Sequence, residues 1–277
     1  MQATKTSLDS YVSVLMMENK VVTKKVLERA GISVPGGYEY TSPEAGMADY
    51  RMYAGKPVVI KPKSTNFGLG ITILKHNYDE TDFKGALQIA FEHDNTLLIE
   101  KFIPGREFRI FIINDEVVGI LHRVPANGVL NIGQLIDRKN EDPLRGKGYR
   151  TPLEKIRKGR EEEMFLKQQG MDFNTVPKEG EVVYLRENSN ISTGGDSIDF
   201  TDDIDDSYKA IAVEAAKALN VKITGLDMMI QDIHAPATPD NYAIIEMNFN
   251  PAIHIHCYPF KGKNRHLNHK MIRALGF

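Results

Sequence analysis

Apolar positions recur near helical spacing over residues 9–30, at Val12, Leu15, Met16, Val22, Val26 and Leu27, and Gly31 closes the run. The pattern predicts a helix, followed by a turn at Val34-Pro35-Gly36-Gly37. The rhythm then changes. Pro57–Ile60 and Ile71–Leu74 are short apolar runs that read as strands, separated by a segment, Lys61–Gly70, rich in Gly, Ser and Asn. Strand, Gly-containing loop and strand in succession predict a hairpin rather than a βαβ unit. Residues 80–93 suit a helix with Thr81 as N-cap and Phe83, Leu87, Ala90 and Phe91 on one face. Leu97–Ile99 and Phe108–Ile113 read as strands on either side of Pro104-Gly105, and Val117–Leu121 follows the tight-turn pair Asn114-Asp115. Residues 128–180 are polar and mixed, which predicts short helices and loops. Asp206–Leu219 reads as a helix ending near Asn220, and Ile223–Ile230 and Tyr242–Phe249 as strands. Strands and helices mix without strict alternation, so the predicted fold class is α+β.

Composition narrows the classes. The chain has 277 residues, 42% of them apolar and 26% charged, an ordinary globular mixture large enough for one domain or two. The net charge of −2 carries no electrostatic footprint for nucleic acid. One cysteine, Cys257, excludes an intrachain disulfide and fits a reducing compartment. No apolar run approaches the roughly 18 residues of a membrane span, and the N-terminal residues do not read as a secretory signal. The expectation is a cytoplasmic protein with neither nucleic acid nor membrane as partner.

Four constellations could carry chemistry. Lys61 and Lys63 leave a strand into the loop Ser64–Gly70, where glycines such as Gly68 and Gly70 let backbone N–H groups approach an anion. That stretch reads either as a phosphate cradle or as a solvated hairpin with two surface lysines, and no Walker or Rossmann pattern is present. Glu100 ends an apolar strand and Glu107 follows seven positions on, which suits a nucleotide's ribose hydroxyls or two ordinary surface carboxylates. Asp227 and Glu246 interrupt apolar strands, and a charge there must be paired or bound to metal. Glu246 and Asn248 share a strand face, so Asp227, Glu246 and Asn248 read as oxygen ligands for Mg2+ or as a buried salt-bridge site. Arg186 opens a polar tract that ends at Gly194-Gly195, either an anion-holding loop or a surface loop. Cys257 near His254 and His256 lacks the spacing of a zinc site and reads as a small packed residue.

The order of these tracts carries a resemblance. ENK (18–20), VVIKPK (58–63), EKFIPGREFR (100–109), RENSNISTGGDSID (186–199), GLDMMI (225–230) and IIEMNFNPAIHIHCYP (244–259) resemble the ATP-grasp superfamily. PLRGKGYRTPLEKI (143–156) and PFKGKNR (259–265) resemble the glutathione-synthetase half of bifunctional γ-glutamylcysteine synthetase–glutathione synthetases. The resemblance implies an ATP-grasp fold, a larger lobe of about 1–50 and 120–277 and a smaller one of about 51–119 holding nucleotide between them. It implies ATP and Mg2+ as cofactors, with Mn2+ a substitute. Lys20 and Lys61 correspond to lysines on the phosphates, with Lys63, Ser64, Gly68 and Gly70 beside them. Glu100, Lys101 and Ile103 correspond to the adenine hinge, Glu107 to the ribose acid, and Asp227, Glu246 and Asn248 to the metal ligands. Arg186 corresponds to the arginine at the transferring phosphoryl group, so Arg186 and Lys61 are the implied catalytic pair. Arg109, Arg123, Asn188, Asn190, Ser192, Gly194 and Gly195 fall near the substrate.

The implied reaction joins a carboxylate to an amine through an acylphosphate, with γ-glutamylcysteine and glycine as substrates. The alternatives are a cyanophycin-synthetase-like ligase, or a nucleotide-binding module inactive without its preceding domain. Implied partners are a preceding γ-glutamylcysteine synthetase domain or a second copy. One departure is the direct junction Asn127-Gly128, where relatives carry a longer turn.

Overall fold

A computed structural model of the chain describes residues 6–65, 70–75, 77–124, 131–141, 145–146, 153–177, 183, 185, 196–259 and 261–277. The elements run α1 (Tyr11–Glu18), α2 (Lys20–Arg29), β1 (Gly37–Tyr40), α3 (Pro43–Ala48), α4 (Tyr50–Tyr53), β2 (Val58–Pro62) and β3 (Thr72–Leu74). Next come α5 (Glu80–Phe91), β4 (Leu97–Lys101), β5 (Arg106–Ile113), β6 (Glu116–Val124), α6 (Ile132–Asn140), β7 (Arg145–Gly146), β8 (Leu153–Glu154) and α7 (Arg160–Gln168). The chain ends with β9 (Asp196–Asp199), α8 (Asp206–Ala218), β10 (Ile223–Ile230), β11 (Tyr242–Asn248), α9 (His254–Cys257) and α10 (Leu267–Ala274). They form two compact units, one of Met1–Val118, Asp203–Pro251 and Ala274–Phe277, the other of Gly119–Asp202 and Ala252–Arg273.

In the first unit the helix expected over 9–30 is two helices. Asn19 ends α1 with extended backbone, and its side chain accepts from the Val21 and Val22 N–H groups to cap α2. The side chain thus competes with helix continuation, which periodicity alone does not register. The hairpin predicted around Lys61–Gly70 is present, with β2 and β3 antiparallel and Ile60 opposite Thr72. These strands belong to a sheet ordered β1-β4-β2-β3. At Gly37, opposite Glu100, a Cβ would stand 2.8 Å from the Glu100 Cα, so only glycine allows β1 this close to β4.

Helix α5 covers this sheet, and Tyr53, Ile60, Phe83, Leu87, Leu97 and Ile99 share its core. Its cap is Asp79, not Thr81. Asp79 has extended backbone and exchanges side-chain hydrogen bonds with Asp82 in a capping box, while Thr81 lies inside the first turn. The unit's other strands, β5, β10 and β11, are antiparallel with β10 in the middle. Helix α8 lies against β5 and buries Tyr208, Ala212, Ala215 and Ala216.

In the second unit β6 pairs with β9, Leu121 opposite Asp199 and Val124 opposite Asp196. Ile132, Ile136, Ile156, Leu166 and Val183 form a small core around α6 and α7. The short elements expected in 128–180 are therefore present among the described residues, whereas Asn127-Gly128 lies outside them. Lys261 bridges to Ile198, and Gly262, at φ +110°, lets the chain turn where a Cβ would stand 2.5 Å from the Asp199 Cβ. Arg265 then closes a clasp, donating to Asp199 at 2.5 and 2.8 Å and to Asp202 at 2.9 Å. Cys257 is buried with its Sγ 3.7 Å from Asn268 Oδ1.

Burial alone would raise the Asp199 carboxyl, but Arg265 and Thr201 hold it below the ordinary carboxylate value. A depressed folded-state pKa contributes stability that is present above the unfolded value and lost as pH falls through the folded one. Chemical denaturation from pH 6 down to about pH 3 should therefore show a loss of stability that is smaller in Asp199→Asn than in the parent. Equal pH slopes would contradict this account of the clasp.

Candidate active site

Register assembles the first cluster. Arg109 on β5 lies opposite Asp227 on β10, and Asp227 lies opposite Glu246 on β11. Alternation puts Asn248 on the face of Glu246 and Glu107 on the face of Arg109. The ladder shifts between Asp227 and Met228, the kind of irregularity that re-aims side chains. Asp227 and Arg109 are buried, at 4% and 8% exposure. The guanidinium grips both carboxylate oxygens, Nε donating to Oδ1 and Nη2 to Oδ2 at 2.7 Å, and Asn248 Nδ2 donates to Oδ2 at 3.4 Å. Gly225 makes room for this: a Cβ there would sit 2.7 Å from Pro251 and 3.3 Å from the Arg109 Cδ. Burial opposes the arginine's charge, but Asp227 outweighs it, with Glu107 and Glu246 adding, so the group is held above its ordinary value. Glu246 is more open and faces Lys20 Nζ at 3.6 Å.

The second cluster surrounds Glu100, whose side chain is 3% exposed. Lys24 Nζ meets Oε1 at 2.6 Å and Lys61 Nζ meets Oε2 at 2.8 Å. Burial would raise this carboxyl, yet Lys61 and Lys24 together pull it below its ordinary value. Burial lowers Lys24 and Lys20 below the usual lysine value, against the opposing pull of Glu100 and Glu246 respectively. Lys20 also donates to the Thr65 carbonyl at 2.8 Å, at the start of the Gly-containing loop. A shallow cleft between α2 and β11 is lined by Lys20, Thr23, Lys24, Leu27 and Glu246.

The other predicted positions fall around these clusters or outside the described residues. Lys63 pairs with Glu39 at 2.8 Å, and the Ser64 N–H and hydroxyl both donate to Asp94, at 2.7 and 2.6 Å. Gly70 has φ +72° and would collide with His93 and Pro62 if it carried a Cβ. Lys101 is exposed and donates its N–H to the Gly36 carbonyl, Ile103 is half-buried, and Glu107 lies half-buried on β5. Arg123 is on β6, opposite Ser197. Gly68, Arg186, Asn188, Asn190, Ser192, Gly194 and Gly195 lie outside the described residues. Sequence reasoning missed Lys24, Glu39 and Asp94. Lys24 had a signal, since it stands four residues after Lys20 on one helix and therefore shares its face.

Residues 17–133 match the model of the RimK-like ATP-grasp domain. The solved bifunctional glutathione synthetase of Pasteurella multocida is 46% identical, with a TM-score of 0.69 over 99% of this chain and 38% of that one. The D-alanine–D-alanine ligase of Bacillus anthracis, at 19% identity and a TM-score of 0.53 over 87% of this chain and 59% of that one, shares the fold. The fold is ATP-grasp. The ATP-grasp chain is also 61% identical, over its full length, to the glutathione biosynthesis bifunctional protein GshAB of Desulfotalea psychrophila, and 55% identical over 99% of its length to that of Clostridium perfringens. It spans 36% of the length of each of these two relatives.

The donor set can be tested against Mg2+. Among the described residues no three His, Cys, Asp or Glu side chains converge as a metal cage. Two carboxylates and an amide converge instead, at Asp227, Glu246 and Asn248. That suits Mg2+, which takes one or two carboxylates and completes its shell with water and phosphate oxygens. Arg109→Met should leave Asp227 buried without its cation and cost on the order of 3–5 kcal/mol in chemical denaturation. Arg109→Met/Asp227→Asn should recover part of that loss; no recovery would mean that the arginine stabilises through packing alone.

Proposed function

We propose that this chain is an ATP-dependent carboxylate–amine ligase that makes glutathione from γ-glutamylcysteine and glycine. The observation that carries the reading is the 61% identity of the whole chain to 36% of a GshAB protein, joined to lysines, an arginine and carboxylates gathered in one compact unit. The γ-phosphoryl group of ATP passes to the substrate carboxylate, giving an acylphosphate and ADP. The glycine amine attacks the activated carbonyl, phosphate leaves with the bonding electrons, the amine loses a proton and an amide remains.

No step needs a nucleophilic side chain, so the protein's contribution is position and charge. Lys20 and Lys61 hold phosphate oxygens, and Lys63, Ser64, Gly68 and Gly70 contribute to the same nucleotide site. Glu100, Lys101 and Ile103 meet the adenine, and Glu107 the ribose. Asp227, Glu246 and Asn248 hold Mg2+, which supplies charge neutralisation on the phosphates. Arg186 takes up charge on the transferring group, and Arg123, Asn188, Asn190, Ser192, Gly194 and Gly195 line the substrate side. Arg109 orients Asp227. The proposed substrates, ATP and γ-glutamylcysteine, fit a reaction in the cytoplasm. In a bifunctional chain the remainder would supply the γ-glutamylcysteine.

The test is ADP formation by the purified chain with Mg-ATP, γ-glutamylcysteine and glycine, each omitted in turn. ADP and glutathione should appear only when all three are present. ADP formed with other acid–amine pairs and not with these would redirect the reading to a different ligase. Glu246→Gln should abolish turnover while the thermal midpoint stays near that of the parent. Activity within about tenfold of wild type would remove Glu246 from the metal ligands.

A further inference from the structure

We propose that Lys24 is a positioning residue: it keeps the buried Glu100 carboxylate neutralised so that Lys61 can leave it for a nucleotide phosphate. The inference rests on the reading that ATP binds at Lys61. Glu100 divides its two oxygens between two cations, Lys24 on Oε1 and Lys61 on Oε2. A carboxylate this deeply buried does not tolerate the loss of its only counterion. Were Lys61 that only counterion, each nucleotide that drew it away would strand the charge, and binding would be weakened by the cost of doing so. With Lys24 in place the carboxylate keeps a partner throughout.

The two lysines are mounted differently. Lys24 projects from α2, whose Thr23 and Leu27 are buried and whose N-terminus Asn19 caps. Lys61 sits on β2, which ends at the next residue, and Lys20 and Lys24 both act on it as like charges, whereas Lys24 also has the carboxylate of Glu28 four residues on along its own helix. Lys24 is thus the fixed member of the pair and Lys61 the transferable one. Lys24 touches no substrate atom in this account and acts through Glu100.

Mg-ATP affinity by isothermal titration calorimetry, together with KM and kcat, tests the assignment in the parent, Lys24→Met, Lys24→Arg, Glu100→Gln and Lys24→Met/Glu100→Gln. Lys24→Met should weaken Mg-ATP binding and raise the KM for ATP about tenfold, with kcat at saturating ATP within about threefold of the parent. Lys24→Arg, which keeps the charge, should restore binding. In the Glu100→Gln background the same Lys24→Met change should have no further effect, because no buried charge needs compensation. An unchanged affinity in Lys24→Met, or an undiminished loss in the Glu100→Gln background, would overturn the inference. Should Lys24→Met fail to fold, Lys24→Gln in both backgrounds gives the same comparison. A parent that binds no Mg-ATP would overturn the functional reading itself, a separate outcome from parent binding with no Lys24 effect.

Discussion

Two carboxylates stand in apolar strands, and the cations brought to them organise the first unit. Glu100 and Asp227 are 3% and 4% exposed, in strands whose other residues are mostly aliphatic. Water cannot serve them there, so each needs a cation from another element. Asp227 takes Arg109 from the neighbouring strand. Glu100 takes Lys61 from its neighbouring strand and Lys24 from α2. Because α2 also sends Lys20 to Glu246 on β11, one helix serves carboxylates of both sheets. The position of α2 is therefore a matter of charge as much as of apolar packing.

In the proposed function, the same arrangement prepares the site for an anionic ligand. Its lysines are desolvated and already held within the unit, so a phosphate would meet oriented cations rather than hydrated ones. The cost of stripping and aligning them is met during folding, which is the sense in which an electrostatic site is preorganised. Bidentate geometry fixes Arg109 most firmly, and it fixes Asp227 in turn, as an outer partner fixes a ligating carboxylate.

Much of this was legible in the sequence, and the gaps have physical causes. The hairpin around Lys61–Gly70, the strands carrying Asp227 and Glu246, and α8 follow from local pattern. Elements of four residues or fewer, such as β1 and α9, leave too little periodicity to read. The break at Asn19 and the cap at Asp79 turn on one side-chain hydrogen bond each, and these compete with a pattern that looks continuous. Asp227 was readable as an ion-paired or metal-bound residue because a charge inside an aliphatic run demands an explanation. Glu100 lies at the end of its run, where a solvated carboxylate is equally ordinary, and only the pairing of β4 with β1 and β2 buries it. Helical spacing puts Lys24 on the face of Lys20, but its pairing with Glu100 follows only from that burial.

Ion pair and metal site compete as readings of Asp227 in the sequence, and the structure shows the ion pair, with Arg109. Arg109 occupies one side of the carboxylate, and Glu246 and Asn248 stand on the strand at its other side. Around the two clusters, Lys20, Lys24, Lys61 and Arg109 face Glu100, Asp227 and Glu246, and Glu107 also acts on Arg109, so cations and carboxylates are near balance. Near balance of this kind lets the site fold without a ligand, since no buried charge is left alone. In the proposed reading, the open carboxylate of Glu246 and the amide of Asn248 complete a ligand set whose Asp227 is oriented from behind by Arg109, so the ion pair serves the ligands rather than replacing them.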